Sequence, residues 1–586
     1  MPTNFPAPLT PAQLDELFPK ERTKPIKDGA FEVGLVLGGT VSAGAYTGGV
    51  LDFLIEALDA WTKAKEEDRP EAPRHEVVIS TIAGTSGGGI NGAMLLRAAS
   101  FGFTHGPTDA NPFYNAWNKG VDLLRLLSAD PEKDVAGFGS VLNCTAIDQQ
   151  AQHTIEYIGP QLGVGGSPAR RSYFADPLRH FMMIGNVTGI PYKIALKGQT
   201  GLAHEMIAHA DYERFALTVP GGVPALPGSR PDEFALSANS PINWDRIKGA
   251  ALATSAFPMA LRARALNRPL EVFGYRFAVV PNDTGPADVV QLIPKWEALT
   301  GDKPPPWVVP FVNVDGGTVN NELLDVVRMA LAGYAGRNDR DGATADRAVV
   351  LVDPFTDPEA LGPSAVPSAL QLLFPFIMAL VFQSRFKPVD LALATADNVY
   401  SRFLVAPMRP GSDPAKPIVG YKAIASGGLG GFLGFLDARF TDYDFRLGRR
   451  NAYEFLKSEF ALPENNPLFQ APNWTPKHRQ DYATMYQGKK YLQLIPLMPN
   501  LPEPPMPSPW PVLDRMPDWL SDAIDKRLDV IYSSVLDGLA SASWLMRQVI
   551  SAYAWAGWKA GGRSFLRDKA LSAIEEALKS QGLLRQ

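Results

Sequence analysis

Two apolar runs set the terms for any fold this chain can adopt. Residues 31–37 (FEVGLVL) and 76–83 (EVVISTIA) are short, rich in aliphatic side chains, and followed directly by glycine. Runs with almost no polar alternation suit strands buried on both faces, as in a parallel sheet covered by helices. Each run also hands over to a helical pattern. Residues 44–65 place Val50, Leu51, Leu54, Leu58 and Trp61 at helical spacing, and a second helix is predicted over 87–99. Strand, glycine turn and helix, repeated twice, predict an α/β fold with a mostly parallel central sheet. Residues 307–314 (WVVPFVNV) and 347–352 (RAVVLV) read as further strands, with Pro310 marking a bulge or an edge. Residues 246–260 read as helix or turn. The α/β core is therefore expected over 28–355, behind a polar arm at 1–27.

Beyond 355 the texture changes. A mainly helical extension is expected over 356–498, interrupted by a glycine cluster at 427–434. Seven of the thirteen residues in 499–511 are proline, which predicts an extended polyproline strap. C-terminal helices are expected over 512–586, where Ile524, Leu528, Ile531 and Val535 open an amphipathic pattern.

Composition excludes several classes of protein. With 586 residues, 46% apolar and 20% charged, the chain can bury a large core and is not disordered as a whole. A net charge of −5 argues against a nucleic-acid binder working by bulk charge. The single cysteine, Cys144, excludes an intramolecular disulfide and a cysteine-rich metal site. His204 and His209 echo a zinc-protease spacing but stand five apart instead of four, so no metal is expected there. The N-terminus lacks a signal-peptide pattern. The dense apolar stretch 369–382 spans 14 residues, short of the roughly 20 a membrane-spanning helix needs. A soluble, cytoplasmic protein in peripheral contact with a membrane is the expectation.

The chemistry concentrates in two glycine turns and one aspartate. Gly84-Thr85-Ser86-Gly87-Gly88 is a G-x-S-x-G following a strand and opening a helix. A serine on such a turn has a strained backbone, and the helix N-terminus behind it faces developing negative charge. The bland alternative is a glycine-rich turn with a buried serine. Gly87, Gly89 and Gly92 also satisfy a dinucleotide-binding spacing, but the acidic residue required further on falls in a loop, at Asp109. The other turn, from Gly38 to Gly44, lacks the lysine and hydroxyl of a phosphate loop and reads better as a nest of backbone N–H donors. Asp315-Gly316-Gly317 ends a strand, where α/β sheets place their sites, and Asp315 is a candidate base for Ser86.

These residues together resemble the patatin-like phospholipases, lipid acyl hydrolases with a Ser–Asp dyad and no catalytic histidine. Four segments carry the resemblance: Gly44-Ala45-Tyr46 with Gly49-Val50-Leu51, the Ser86 pentapeptide, Ala253-Thr254-Ser255-Ala256-Phe257-Pro258, and Asp315-Gly316-Gly317. The resemblance covers about residues 30–355 and implies a three-layer core. It implies Ser86 as nucleophile, Asp315 as base, and backbone amides of Gly39, Thr40 and Val41 as oxyanion hole. Gly38, Gly44, Gly84, Gly88, Gly316 and Gly317 would be the glycines that shape the site. The implied substrate is a phospholipid, lysophospholipid or other fatty-acyl ester, with no cofactor and no metal. The family commonly writes the first turn G-G-G-x-[RK]-G. Counted back from Gly44, Gly39, Thr40 and Val41 stand at its three glycines and Ala43 at its basic position.

Two other readings stay open at this point. One is an α/β-hydrolase esterase with the triad Ser86, Asp315 and His478, a chain order usual for that fold. The other is a catalytically silent lipid-binding module. Residues 370–382 are expected as a core helix kinked at Pro375, with an apolar lid as the alternative. The stripe of Trp544, Trp555 and Trp558 with Arg547, Lys559 and Arg563 is expected to pack on its own domain. In 442–451 (DYDFRLGRRN), Arg449 and Arg450 are expected to pair with Asp442 or Asp444.

Overall fold

The computed structural model describes residues 8–132, 139–156, 169–195, 203–225, 228, 230–280, 282, 285, 287–301, 307–320, 323–356, 379–380, 383–384, 399–538 and 558–585. Its main strands are β1 (Ala30–Leu37), β2 (Glu76–Gly84), β3 (Phe174–Ala195), β4 (Ala203–Thr218), β5 (Arg264–Pro269), β6 (Val308–Asp315), β7 (Arg347–Val352) and β8 (Arg402–Val405). The helices that matter to the site are α1 (Gly44–Glu66), α2 (Gly87–Ser100), α3 (Thr145–Glu156), α4 (Trp244–Thr254), α5 (Leu324–Ala332) and α6 (Ala438–Glu454).

The strands run in the order β8-β7-β1-β2-β3-β6-β5. The five from β8 to β3 are parallel, and β6 and β5 are antiparallel additions at the far side. Side chains alternate across β1. Val33, Leu35 and Leu37 join a core with α1 and α2, whereas Val36 joins Val349 and Leu351 against Val327 and Leu331 of α5. Helix, sheet and helix thus make the three-layer core that the two apolar runs imply.

The direction of β6 corrects the sequence-based picture of Asp315. That residue was expected at the end of a parallel strand, yet β6 runs antiparallel to β3. The reason lies in the length of β3. One edge pairs with β4, through Leu178–Gly185 opposite Leu217–Ala210. Along its other edge, β2 pairs as far as Gly84 opposite Met182, and β6 then arrives from the opposite direction with Asp315 opposite Ile184. The C-terminal ends of β2 and β6 therefore meet head to head, two β3 residues apart. Pro310 falls in the part of β6 that pairs with β5 beyond this short ladder, where its missing N–H leaves no gap between two strands.

The C-terminal half is built into this core. The sheet takes its edge strand β8 from beyond residue 355. The described part of 399–498 holds α6, further short helices and 3-10 turns, together with β8 and a small antiparallel sheet of Ala461–Pro463, Lys489–Gln493 and Ala483–Tyr486. In the proline-rich segment, Met506 and Trp510 pack on the main core. Of 370–382 only Ala379 and Leu380 are described, and Trp544, Arg547 and Trp555 also lie outside the described residues. Trp558 stacks on Tyr532 and donates to Asp529, and Arg563 pairs with Asp529. Among the described residues, no helix is long and apolar enough to cross a membrane.

α6 crosses α1 at glycine. A Cβ on Gly49 would fall 2.0 Å from the Phe445 carbonyl oxygen, and one on Gly448 would fall 2.1 Å from the Tyr46 carbonyl oxygen. The close crossing brings Arg449 onto Asp52 and onto Glu56 (2.6 Å). Arg450 pairs with Glu454 and Glu503. Both arginines thus reach past Asp442 and Asp444, which bond instead to Tyr114 and Arg446, and to residues 425–426. His105 completes the cluster, 2.8 Å from Asp52. Burial alone would lower its pKa, but hydrogen bonds to Asp52 and Asp59 outweigh this and raise it to about 9.

Two predictions follow from this crossing. Gly448→Ala should destabilise the fold by about 1–3 kcal/mol, as overpacking does, read by urea unfolding. The His105 pKa is raised above its unfolded value near 6.5, so its contribution is complete below that pH and is lost as pH rises through about 9. The pH dependence of unfolding between pH 6.5 and 9.5 should therefore be shallower in His105→Gln than in the native chain.

Candidate active site

Ser86 stands between β2 and α2 with φ 53° and ψ −127°, a conformation that only a tightly held turn keeps. What holds it is close backbone packing. A Cβ on Gly88 would lie 2.1 Å from the Leu37 carbonyl oxygen, and one on Gly84 would lie 2.6 Å from the Gly88 carbonyl oxygen. Only glycine admits this approach. Gly89 and Gly92 are packing glycines too, facing Thr254 and the His180 ring, which accounts for the dinucleotide-like spacing. Asn91, wholly buried one turn into α2, donates to the carbonyls of Gly44 and Gly87 (3.0 Å each) and so ties the two glycine turns together.

The end of α4 and the segment after it hold both Ser86 and Asp315. Thr254 Oγ1 accepts from the Ser86 N–H (2.9 Å), and the Ala256 carbonyl accepts from the Asp315 N–H (2.9 Å). Asp315 Oδ1 accepts from the Gly317 N–H (2.7 Å). Burial raises the Asp315 pKa, and the neighbouring Ser86 side chain and the Gly317 N–H oppose the rise, leaving it at about 6. Gly316 lets this turn sit on β3, since a Cβ there would come within 2.5 Å of the Met183 carbonyl oxygen.

The first glycine turn keeps a glycine-like path without glycine. Val41 has φ 48°, which is costly for a β-branched residue. Thr40 and Val41 press on Gly87, where a Cβ would lie 2.2 Å from Thr40 Oγ1 and 3.3 Å from the Val41 nitrogen. Ala43, at the basic position of the family pattern, is fully buried. The turn is clamped from the C-terminal half: the Ser42 hydroxyl donates to the Gly431 carbonyl, and Gly431, at φ 95°, abuts the Thr40 carbonyl and the Val41 side chain. Asp444 of α6 anchors that clamp by accepting from the N–H groups of Ala425 (2.7 Å) and Ser426 (2.9 Å). Gly38 and Gly44 flank the turn, Gly38 beside Asp353 and Gly44 against the Trp117 ring.

A narrow cavity of about 120 Å³ opens on Ser86 and Asp315. Its walls are mainly apolar, from Ile90 and Met94 of α2, Ile147 of α3, Leu252 of α4, and Phe432 and Phe435 of the clamp. Among the described residues, no histidine lines it. His478 is occupied elsewhere: its Nδ1 accepts from the Thr475 N–H (3.2 Å) and its Nε2 bonds to the Pro70 carbonyl (2.7 Å). The structure thus brings Ser86, Asp315 and the turn of Gly39, Thr40 and Val41 together, and leaves His478 out. Sequence reading missed Asn91 and the clamp, and it noted Thr254 only as part of a motif. A hydroxyl directly before the small-residue Ser255-Ala256 pair was the one local signal for Thr254. A larger cavity of about 640 Å³, lined by Arg179, Arg214, Arg230 and Arg276 among others, includes neither Ser86 nor Asp315.

Comparison with known proteins agrees with this geometry. The family description "Patatin-like phospholipase" matches residues 35–328, which takes in the first turn from Leu35 onward, the elbow, the Thr254 segment and Asp315. "Uncharacterized protein y4iI" of Sinorhizobium fredii (strain NBRC 101917 / NGR234) is 31% identical over 534 residues, covering 83% of this chain and 73% of the relative. With half its length matched by the family, the chain belongs to the patatin-like phospholipases, a family of lipid acyl hydrolases.

Proposed function

We propose that this protein cleaves carboxylic esters of phospholipids or lysophospholipids through an acyl-enzyme on Ser86, with Asp315 as base. The observation that carries the reading is that Ser86 and a buried carboxylate, Asp315, line one mainly apolar cavity that, among the described residues, no histidine lines. A carboxylate of ordinary basicity is a weak base for a serine hydroxyl, and burial brings Asp315 closer to neutral pH. In the first step Asp315 takes the Ser86 proton, the oxygen attacks the ester carbonyl, and the alcohol leaves with a proton. In the second, Asp315 activates water and the fatty acid is released. Charge on the carbonyl oxygen is met by backbone N–H groups of Gly39, Thr40 and Val41 and by the N-terminus of α2. The narrow, mainly apolar cavity suits one acyl chain.

The dyad is tested with p-nitrophenyl esters of graded chain length and with a lysophospholipid. Ser86→Ala and Asp315→Asn should each lower kcat by roughly 10³-fold or more, while His478→Gln retains activity. Loss of activity in a folded His478→Gln would replace the dyad with a triad. A native chain inert toward all these esters and toward a fluorophosphonate probe would favour a silent binding module.

Two further outcomes follow from the buried carboxylate. Because the ionised form is the base, kcat/KM should rise about tenfold per pH unit below pH 6 and level off above it. The folded pKa lies above the unfolded value near 3.9, so the cost of burying the charge builds up as pH rises from about 3.9 and is complete above about 6. Asp315→Asn should therefore raise Tm at pH 8, with a smaller effect at pH 5, even as it removes activity.

A further inference from the structure

The cavity that opens on Ser86 also reaches a buried cation. Arg97 is on α2, eleven residues beyond Ser86, which on a helix is about 16 Å along the axis. Its guanidinium lies against the rings of Phe101 (4.6 Å) and Trp244 (5.0 Å), at the end of α4 away from Thr254. α4 therefore runs back along α2, with Thr254 at the nucleophile and Trp244 at Arg97. Only 4% of Arg97 is exposed, and its Nε and Nη2 have no hydrogen-bond partner among the described residues. The other cation on the cavity wall, Lys248, has Asp245 (2.8 Å) and Gln152 as partners. Among the described residues the cavity wall includes one carboxylate, Asp315, at the opposite end.

A guanidinium held in an apolar wall is expensive unless an anion or acceptors meet it, and ring contacts recover only part of the cost. Its burial pulls the Arg97 pKa down to about 8, with no counter-charge among the described residues acting against that fall. The arrangement is a mainly apolar slot with a nucleophile at one end and an unmatched cation at the other. We propose that Arg97 receives a carboxylate at the distal end of the substrate's acyl chain, so that the preferred substrates are monoesters of α,ω-dicarboxylic acids. The proposal rests on Ser86 being the nucleophile.

Distance selects this chemistry over a headgroup. In a glycerophospholipid the phosphorus is about six bonds, roughly 7 Å, from the ester carbonyl, too short to span the slot. A chain advancing about 1.2 Å per bond covers the gap with on the order of ten to twelve atoms. The reaction is ordinary ester hydrolysis. Ser86 displaces the alcohol, water cleaves the acyl-enzyme, and the dicarboxylic acid departs with its distal carboxylate unchanged.

The experiment compares mono-p-nitrophenyl esters of dicarboxylic acids, about eight to fourteen carbons long, with esters of matched monocarboxylic acids. The native chain should favour the carboxylate-terminated ester about 10- to 100-fold in kcat/KM near twelve carbons, the worth of a charge-assisted hydrogen bond. Arg97→Met should abolish or reverse that ratio, and Arg97→Lys should keep part of it. A native preference for the uncharged ester at every length, or a preference that survives Arg97→Met, overturns the proposal. If neither ester class is hydrolysed, the dyad reading fails by itself, and calorimetric binding of dodecanedioate against dodecanoate decides the role of Arg97. Tighter binding of dodecanedioate that Arg97→Met removes supports it; equal binding of the two acids overturns it.

Discussion

The approach of α2 to the ends of β1 and β2 is the contact on which the site depends. At Gly88 the helix backbone comes so close to the Leu37 and Gly38 carbonyls that no side chain fits, and at Gly84 the strand end meets the helix in the same way. That approach forces Ser86 to φ 53°, a conformation costing about 1–3 kcal/mol, which the surroundings must supply. They do so with a hydroxyl, Thr254, on the Ser86 N–H and an amide, Asn91, between the two turns. Ser86 is thereby kept on the wall of the cavity that Asp315 also lines.

The position of that carboxylate is a consequence of one long strand. β3 continues past the end of β2, and the vacant edge is taken by β6 running the other way. Two strand ends then face each other, so Ser86 and Asp315 are brought to one place without a parallel neighbour or a long loop. Antiparallel pairing puts Asp315 at the same level of the sheet as Ser86 and its helix N-terminus, where both line one mainly apolar cavity.

The C-terminal half acts on this site through a chain of contacts. Gly49 and Gly448 let α6 cross α1 closely; Asp444 of α6 holds residues 425 and 426; Gly431 then presses on Thr40 and Val41. Glycine at the family's positions would take a positive φ at little cost. Here Val41 takes it under external pressure, and the clamp supplying that pressure also contributes Phe432 and Phe435 to the cavity wall. The altered turn and the glycine cluster at 427–434 are therefore two halves of one device.

Much of this was legible in the residues themselves. The apolar runs with their glycine ends specify β1, β2 and the two turns, because short-range sterics allow a strand-to-helix reversal there and little else. Ser86 and Asp315 stand out for the same local reason, each at a strand end beside glycine. What the chain does not reveal locally is anything decided by pairing at a distance. The antiparallel run of β6 depends on the length of β3; the partners of Arg449 depend on a helix crossing about 400 residues apart in sequence. The 3-10 turns of 420–435 and strand β8 take shape against the core, where propensity is weak and packing decides. Arg97 is the plainest case: in sequence it is one more charge on a helix, and only the fold encloses it, unmatched, at the far end of the cavity that begins at Ser86.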